Sequence, residues 1–260
     1  MTLSTLTKCV TTNAVKSFAE LEGIIFSHNT IATLLNEFQL NFNKNKLLIE
    51  AISHASFCNE NNHLRLNSYE RLEFLGDSLI SHFFSEKLYQ QFKELDEGRL
   101  SKLRASLVNK DALVELAQLV SVSDFVLVGK GEAKSEIGES VQADVFEAIL
   151  GAIYLDHGWD KMVTFLEQLF LIYRAKNGYD FLNPERIKIF DPKSSLQERV
   201  ISLYKQLPIY EAVETKDQNY HVKLIIKDEV VIEKVSHSKK KAERELAKEA
   251  IEKKLYILED

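Results

Sequence analysis

The sequence predicts a largely helical domain of about 145 residues followed by a small α-β-β-β-α domain. Three observations predict it. Glycine and proline are scarce, 9 and 3 in 260 residues, so long uninterrupted helices are expected. From about Thr30 to Ala175 apolar residues recur at spacings of three and four, the period of a helix with one buried face. After Pro208 the pattern shifts to short β-branched, alternating runs.

Taken in order, residues 1–30 read as a weakly patterned extension and residues 31–176 as the helical domain. Within the latter, Asp111 to Val120 shows the helical period plainly, and Phe165, Leu166, Leu169, Phe170, Ile172 and Tyr173 continue it. Residues 177–190 hold Gly178 and Pro184 and little periodicity, and read as a linker. Residues 191–258 form the second domain. Asp191 then Pro192 is a good helix start, a side-chain acceptor at the N-cap and proline at the first helical position, and this helix should reach about Lys205. Strands are expected at Ile209–Glu214, Tyr220–Ile226 and Val230–Val235, with a turn at Lys227-Asp228-Glu229. A last helix should run from Lys239 to about Leu255. There is no internal repeat and no low-complexity tract.

Hydrophobic residues at 45% and charged residues at 28% suit a globular chain that buries its own core. The two cysteines, Cys9 and Cys58, form neither a CxxC pair nor a zinc spacing, so plain thiols in a reducing compartment are expected. No apolar run reaches the roughly 18–20 residues that span a bilayer. The start lacks a basic, then apolar, then small-residue pattern. The expectation is a cytoplasmic protein with no membrane association. A net charge of −6 argues mildly against a nucleic-acid partner. An enzyme that gathers carboxylates around metal ions can nevertheless be acidic overall and locally basic.

Chemistry concentrates in two stretches. In Glu70-Arg71-Leu72-Glu73-Phe74-Leu75-Gly76-Asp77-Ser78, a helix puts Glu70, Glu73 and Asp77 on one stripe. Like charges at that spacing cost roughly 0.2–0.5 kcal/mol per pair, and a mid-helix glycine about 1 kcal/mol against alanine. A divalent cation would relieve the repulsion, and a glycine admits a neighbouring helix or a substrate. In the second stretch, Gln142 to Leu155, Asp144 and Glu147 are the only charges, again at i and i+3 among core-type residues. Packed face to face, the two helices would gather carboxylates suited to Mg²⁺, with Mn²⁺ as substitute, and unsuited to zinc or copper. Each acid also has a plainer use. Glu70 fits a capping box with Asn67, Glu73 beside Arg71 fits a solvated surface, and Asp144 fits an N-cap.

These residues resemble the ribonuclease III family. Glu70 to Ser78 is similar to that family's nine-residue signature. Asp96-Glu97-Gly98, Leu103 to Asn109, Gly129-Lys130-Gly131-Glu132, Ala143 to Asp156, and upstream Ala51 to Ser56 follow in the family's order. The resemblance runs from about Phe38 to the C-terminus. It implies that Glu73, Asp77, Asp144 and Glu147 are the metal-binding acids, with Asp77 and Glu147 the catalytic pair whose loss hurts most. It places Glu70 and Glu97 near the site, at a second metal or in RNA contact. Phe74 matches an aromatic that packs into a partner subunit, while composition alone allows ordinary core. His54 matches a family position but reads as a structural histidine.

The C-terminal seventy residues resemble a double-stranded RNA-binding domain, through Pro192 to Glu198 and Ser238 to Glu243. Gln197 and Glu198 are then the minor-groove readers. Lys239, Lys240 and Lys241, at a helix N-terminus, are the phosphate contacts. Two departures stand out. Thr215 to Asn219 is short and lacks the family's histidine, which puts one minor-groove contact in doubt. Gly138 to Gln142 is looser than usual, with Glu139 where a basic or polar residue is common. The resemblance implies a homodimer without a small-molecule cofactor. It would hydrolyse double-stranded RNA by a two-metal mechanism, leaving 5′-phosphate and 3′-hydroxyl ends with short 3′ overhangs, on precursor ribosomal RNA and other structured transcripts. The alternative is a non-catalytic double-stranded RNA-binding scaffold on the same fold. The complete set of acids argues against it.

Overall fold

The structure, a computed structural model, describes residues 4–13, 15–131, 137–184, 192–215, 217 and 219–258. The chain forms two compact units, Met1–Asn183 and Pro184–Asp260.

The first unit is helical. It opens with α1 (Thr5–Thr12), α2 (Phe18–Ser27) and α3 (Asn29–Glu37). The sequence suggested only a weak extension over residues 1–30. The structure instead gives two capped helices whose Leu6, Val10, Leu21 and Ile25 are buried. The amphipathic signal is masked because α1 buries hydroxyls as well as apolar groups. Ser4 Oγ and Thr7 Oγ1 donate to the Val126 carbonyl at 2.6 and 2.8 Å, and Thr5 Oγ1 donates to the Asp124 carbonyl at 3.0 Å. A serine or threonine satisfied this way is as much an inward residue as a leucine.

Next come α4 (Asn45–Ala51), α5 (Ala55–Glu60) and the long α6 (Glu70–Gln91). They are followed by α7 (Glu97–Leu107), α8 (Lys110–Leu119) and the short α9 (Val122–Phe125). Asp96 and Asn109 cap α7 and α8 by accepting from Arg99 N and Ala112 N. The unit closes with α10 (Glu139–His157) and α11 (Trp159–Asn177), which ends at Gly178 in the left-handed region that glycine adopts without strain.

The centre of the unit is α10, with Val145, Phe146, Ala148, Ile149, Leu150, Ala152 and Ile153 all fully buried. It packs against α6, α8, α4 and α11. Its approach to α6 is unusually close. A Cβ placed on Gly76 of α6 would lie 1.9 Å from the Glu147 carbonyl oxygen, and one on Gly151 of α10 would lie 2.5 Å from the Leu72 carbonyl oxygen. Main chain touches main chain, which only glycine permits. Because Leu72 meets Gly151 and Gly76 meets Glu147, the helices pass in opposite directions. Phe84, Phe170 and Phe181 stack at the far end of α6, Phe170 and Phe181 with centroids 5.2 Å apart.

The second unit has α12 (Pro192–Tyr204), β1 (Ile209–Glu214), β2 (Tyr220–Ile226), β3 (Glu229–Ser236) and α13 (Lys239–Glu252). This is the expected α-β-β-β-α order. The sheet is antiparallel with order β1-β2-β3. Lys227 and Asp228 both take positive φ, the geometry of the tight turn that matches strand twist. Both helices cover one sheet face around Leu196, Val200, Val222, Leu224, Leu246 and Tyr256. Asp191, the expected N-cap, lies outside the described residues.

Candidate active site

The crossing of α6 and α10 places the acids. Glu73 and Glu147 project from the turns that flank the glycine contact, and Asp144 lies one turn before Glu147 on the same face. One ligand oxygen each from Glu73, Asp144 and Glu147 all fall within 4.8 Å of one another. Glu147 is buried, at 8% exposure, and the other two are half-buried. Asp77 stands at the exposed edge, and its charge acts on both Glu73 and Glu147.

The electrostatics are those of an acidic cluster that could hold a cation. Burial first, then the charges of Asp77, Glu73 and Asp144, push the Glu147 carboxyl up to about 8. Glu73 is raised by burial and then by Asp144, Glu70 and Asp77. Asp144 is raised by burial too, but three groups oppose it: Lys110, a hydrogen bond from the Tyr69 hydroxyl, and His54. Like charges held together and desolvated are costly unless neutralised by protons or by metal. The donor set is carboxylate oxygen only, which fits a hard divalent ion.

The plainer readings of Asp144 and Glu70 do not survive. Asp144 is no N-cap, since α10 begins at Glu139 with Gly138 before it. Glu70 closes no capping box. Asn67 gives its N–H and its side-chain amide to Glu50 Oε1 at 3.0 and 2.9 Å, and Glu70 instead accepts from Ser68 Oγ at 3.0 Å. Phe74 is not core, because 77% of it is exposed. Glu97 stands apart from the acid cluster at the start of α7, where its carboxylate accepts from Ser101 Oγ at 2.9 Å. His54 is structural: its ring caps α5, with Nδ1 2.8 Å from Ser56 Oγ.

Sequence reasoning missed Tyr69, Lys110 and Gly151. Tyr69 precedes the signature directly, and Lys110 follows Asn109 at the head of α8. Neither carries a sequence signal, because their roles exist only across the α6–α10 and α8–α10 contacts. Gly151 repeats, on the second helix, the mid-helix glycine that made Gly76 conspicuous.

In the second unit Gln197 and Glu198 are exposed on α12, and Lys239, Lys240 and Lys241 are exposed on the first turn of α13. Ser238 caps that helix by accepting from Lys241 N at 3.4 Å. The chain turns before β2 through Thr215 N and Oγ1, which both donate to the Asn219 carbonyl. Lys216 and Gln218 of that loop, and Glu132 of the glycine-containing loop, lie outside the described residues.

Comparison with known proteins decides the family. Residues 44–173 match the family model described as ribonuclease-III-like, and residues 192–254 match the double-stranded RNA binding motif. The protein named ribonuclease 3 of Lactiplantibacillus plantarum is 32% identical over 227 residues, 85% of this chain and 95% of that one. The chain belongs to the ribonuclease III family. Ribonuclease 3 of Francisella tularensis subsp. holarctica is 37% identical over 217 residues, 82% of this chain and 89% of its own. The crystal structure of the ribonuclease III nuclease domain from Campylobacter jejuni, solved at 2.2 Å, aligns at a TM-score of 0.50 and 32% identity, covering 58% of this chain and 99% of that chain. This protein is therefore a ribonuclease III, an endoribonuclease carrying a double-stranded RNA-binding domain, with an acidic cluster able to hold a metal ion. No helix among the described residues is long and apolar enough to cross a membrane.

Proposed function

We propose that this ribonuclease III hydrolyses both strands of double-stranded RNA as a homodimer, using Mg²⁺ or Mn²⁺ held by Glu73, Asp77, Asp144 and Glu147. The observation that carries the reading is the convergence of Glu73, Asp144 and Glu147 within 4.8 Å, from two helices, at a desolvated site. When bound, such ions polarise the phosphoryl oxygen and activate the attacking water, the chemistry that leaves 5′-phosphate and 3′-hydroxyl ends. The residues of this chain hold and orient the ions. They also keep bulk water from the buried side of the site, where Glu147 sits. Glu147, whose carboxyl burial and the neighbouring acids push up to about 8, would hold an ion in its deprotonated form, so ion binding there would be coupled to loss of a proton.

The dimer reading rests on Phe74. Phe74 presents its ring from the outer stripe of α6 at 77% exposure, and Tyr89 on the same helix is exposed to a similar degree. A groove between α6 and α7, of about 420 Å³ and lined mainly by apolar surface of Leu88, Tyr89 and Leu100 beside Glu97 and Arg104, offers a second copy's ring a receptor. Pairing of two copies would set one acid cluster against each strand. Gln197 and Glu198 would read the minor groove, and Lys239 to Lys241 would hold phosphates across the adjoining groove. Structured transcripts such as precursor ribosomal RNA are the substrates that fit such shape-based recognition.

The test is digestion of a long perfect RNA duplex with Mg²⁺, with EDTA, and with Glu147→Gln. Discrete short duplexes that need both metal and Glu147 are the expected result. Retained binding without cutting, in wild type across both metals, would replace the nuclease with a binding scaffold.

A further inference from the structure

Glu243 is a buried acid in a basic stretch of helix. It follows Lys239, Lys240 and Lys241 on α13, and those three are exposed while it is only 8% exposed. A carboxylate taken out of water needs a partner. The partner comes from the other helix. Lys193 Nζ, on the first turn of α12, donates to Glu243 Oε2 at 2.6 Å. The same ammonium stands 4.8 Å from the ring centroid of Tyr210 on β1, so it is held by a carboxylate and by an aromatic face. The opposite end of α12 is tied separately. Arg199 Nη1 donates to the Tyr256 hydroxyl and Leu258 N donates to the Tyr204 hydroxyl, both at 2.8 Å. Lys193 lies four residues before Gln197, and Glu243 four residues after Lys239. Each half of the pair is therefore one helical turn from a group expected to meet RNA.

We propose that Lys193 and Glu243 are positioning residues that set the register of α12 against α13, and with it the spacing between Gln197 and Glu198 on one helix and Lys239 to Lys241 on the other. The proposal rests on the reading of those five residues as RNA contacts. An A-form duplex presents its minor groove and the phosphates of the adjoining groove at a fixed spacing, so a domain that meets both must hold its two helices at that spacing. A helix slid by part of a turn would meet one and miss the other. A buried ion pair adds little net stability, since desolvation offsets its attraction, and fixing register is its best-attested use. Register set in the free protein also lowers the ordering cost when RNA arrives. Charge alone makes the opposite prediction. Removing an acid beside a phosphate-binding lysine cluster makes the surface more basic and should tighten RNA binding. Loss of register should weaken it.

The test uses the full chain in EDTA, so that binding is read without cutting. The probe is a fluorescent perfect RNA duplex longer than the roughly 16 base pairs such a domain spans, followed by anisotropy. Circular dichroism checks that each variant keeps the wild-type fold. Glu243→Gln and Lys193→Met should each bind roughly 3–30-fold more weakly, the scale of coupling within one ion-pair network. The double variant should bind no worse than the weaker single one, because either change already breaks the pair. Tyr204→Phe, which loosens the opposite end of α12, should bind like wild type. Glu243→Met removes the same charge while keeping an unbranched stem in the buried place, and it carries the test if Glu243→Gln unfolds. Binding by the Glu243 variants equal to or tighter than wild type, beside clear loss when Lys239, Lys240 and Lys241 all become alanine, overturns the positioning role and leaves the RNA surface standing. Equal loss in Glu243→Gln and Tyr204→Phe also overturns it, because general loosening then explains both. If the triple-alanine protein binds like wild type, those lysines are no RNA contacts and the inference falls with that reading.

Discussion

Replacing Gly76 by alanine tests whether the α6–α10 contact builds the site. The new Cβ would start 1.9 Å from the Glu147 carbonyl oxygen and 2.5 Å from its carbon, and the first distance must rise to at least 3.0 Å. The obstacle is main chain, so no rotamer change relieves it, and the helices must separate. Overpacking of this kind costs about 1–3 kcal/mol, and the upper end applies when backbone must move. Alanine's better helix propensity returns about 1 kcal/mol. The net expectation is a loss of about 2 kcal/mol, or roughly 4–8 °C in melting temperature for a unit of this size. Gly23 is the control: it lies in α2 with nothing within 4 Å of its would-be Cβ, so Gly23→Ala should gain up to about 1 kcal/mol. Urea unfolding in EDTA, followed by fluorescence of Trp159, reads the nuclease unit selectively, since the chain has one tryptophan and it lies in α11. Separation would also carry Glu147 away from Glu73, so Mn²⁺ affinity should fall with stability. A Gly76→Ala protein stabilised like Gly23→Ala would refute both the close contact and its part in placing Glu147.

Three further outcomes are expected. With metal removed, stability should decline as pH rises from about 4.5 to about 8, because folded Glu147 keeps a proton that the unfolded chain has lost. That contribution is fully present below the unfolded value and gone above the folded one. Its slope is about 1.4 kcal/mol per pH unit from one group, and Glu147→Gln should flatten it in urea titrations across that window. Phe74→Glu should keep the helical circular dichroism of the folded nuclease unit, since the ring is exposed and outside the core of the single chain, yet sediment as a monomer. An unchanged dimer would remove Phe74 from the interface. Changing Lys239, Lys240 and Lys241 together to alanine should lower RNA affinity and make its salt dependence shallower, by roughly 0.7–0.9 in log–log slope per lost phosphate contact. Mn²⁺ binding should stay unchanged, and an unaltered slope would make these lysines a solvated surface.

The sequence exposed most of the second unit because its signals are local. Alternation set the three strands, and Pro208 and the Lys227-Asp228 turn marked where they break. The acids were legible for a related reason: in Gln142 to Leu155 a charge among core residues has few structural excuses. The first thirty residues were not legible, because Thr7 of α1 and its N-cap Ser4 are buried hydroxyls whose partner, the carbonyl of Val126, lies more than a hundred residues away. Periodicity counts a hydroxyl as polar whether or not it finds such a partner. Tyr69 and Lys110 escaped for the same reason, since each acts on Asp144 from another helix.

The glycines explain why the ligands stand where they do. Ordinary helices pack about 8–10 Å apart, a distance at which acids on facing stripes bring their oxygens together only at full side-chain reach. Gly76 and Gly151 let α6 and α10 close to main-chain contact, and the residue whose carbonyl meets Gly76 is Glu147 itself. The same contact therefore fixes the backbone of a ligand and brings Glu73 within its range. It also buries Glu147, which accounts for much of the rise in its carboxyl toward 8. Close packing, a raised carboxyl pKa and convergent oxygens are thus one structural fact. A change that loosens the helices should relieve the carboxylate repulsion and weaken metal binding together. A change that neutralises one acid should relieve the repulsion while leaving the helices where they are.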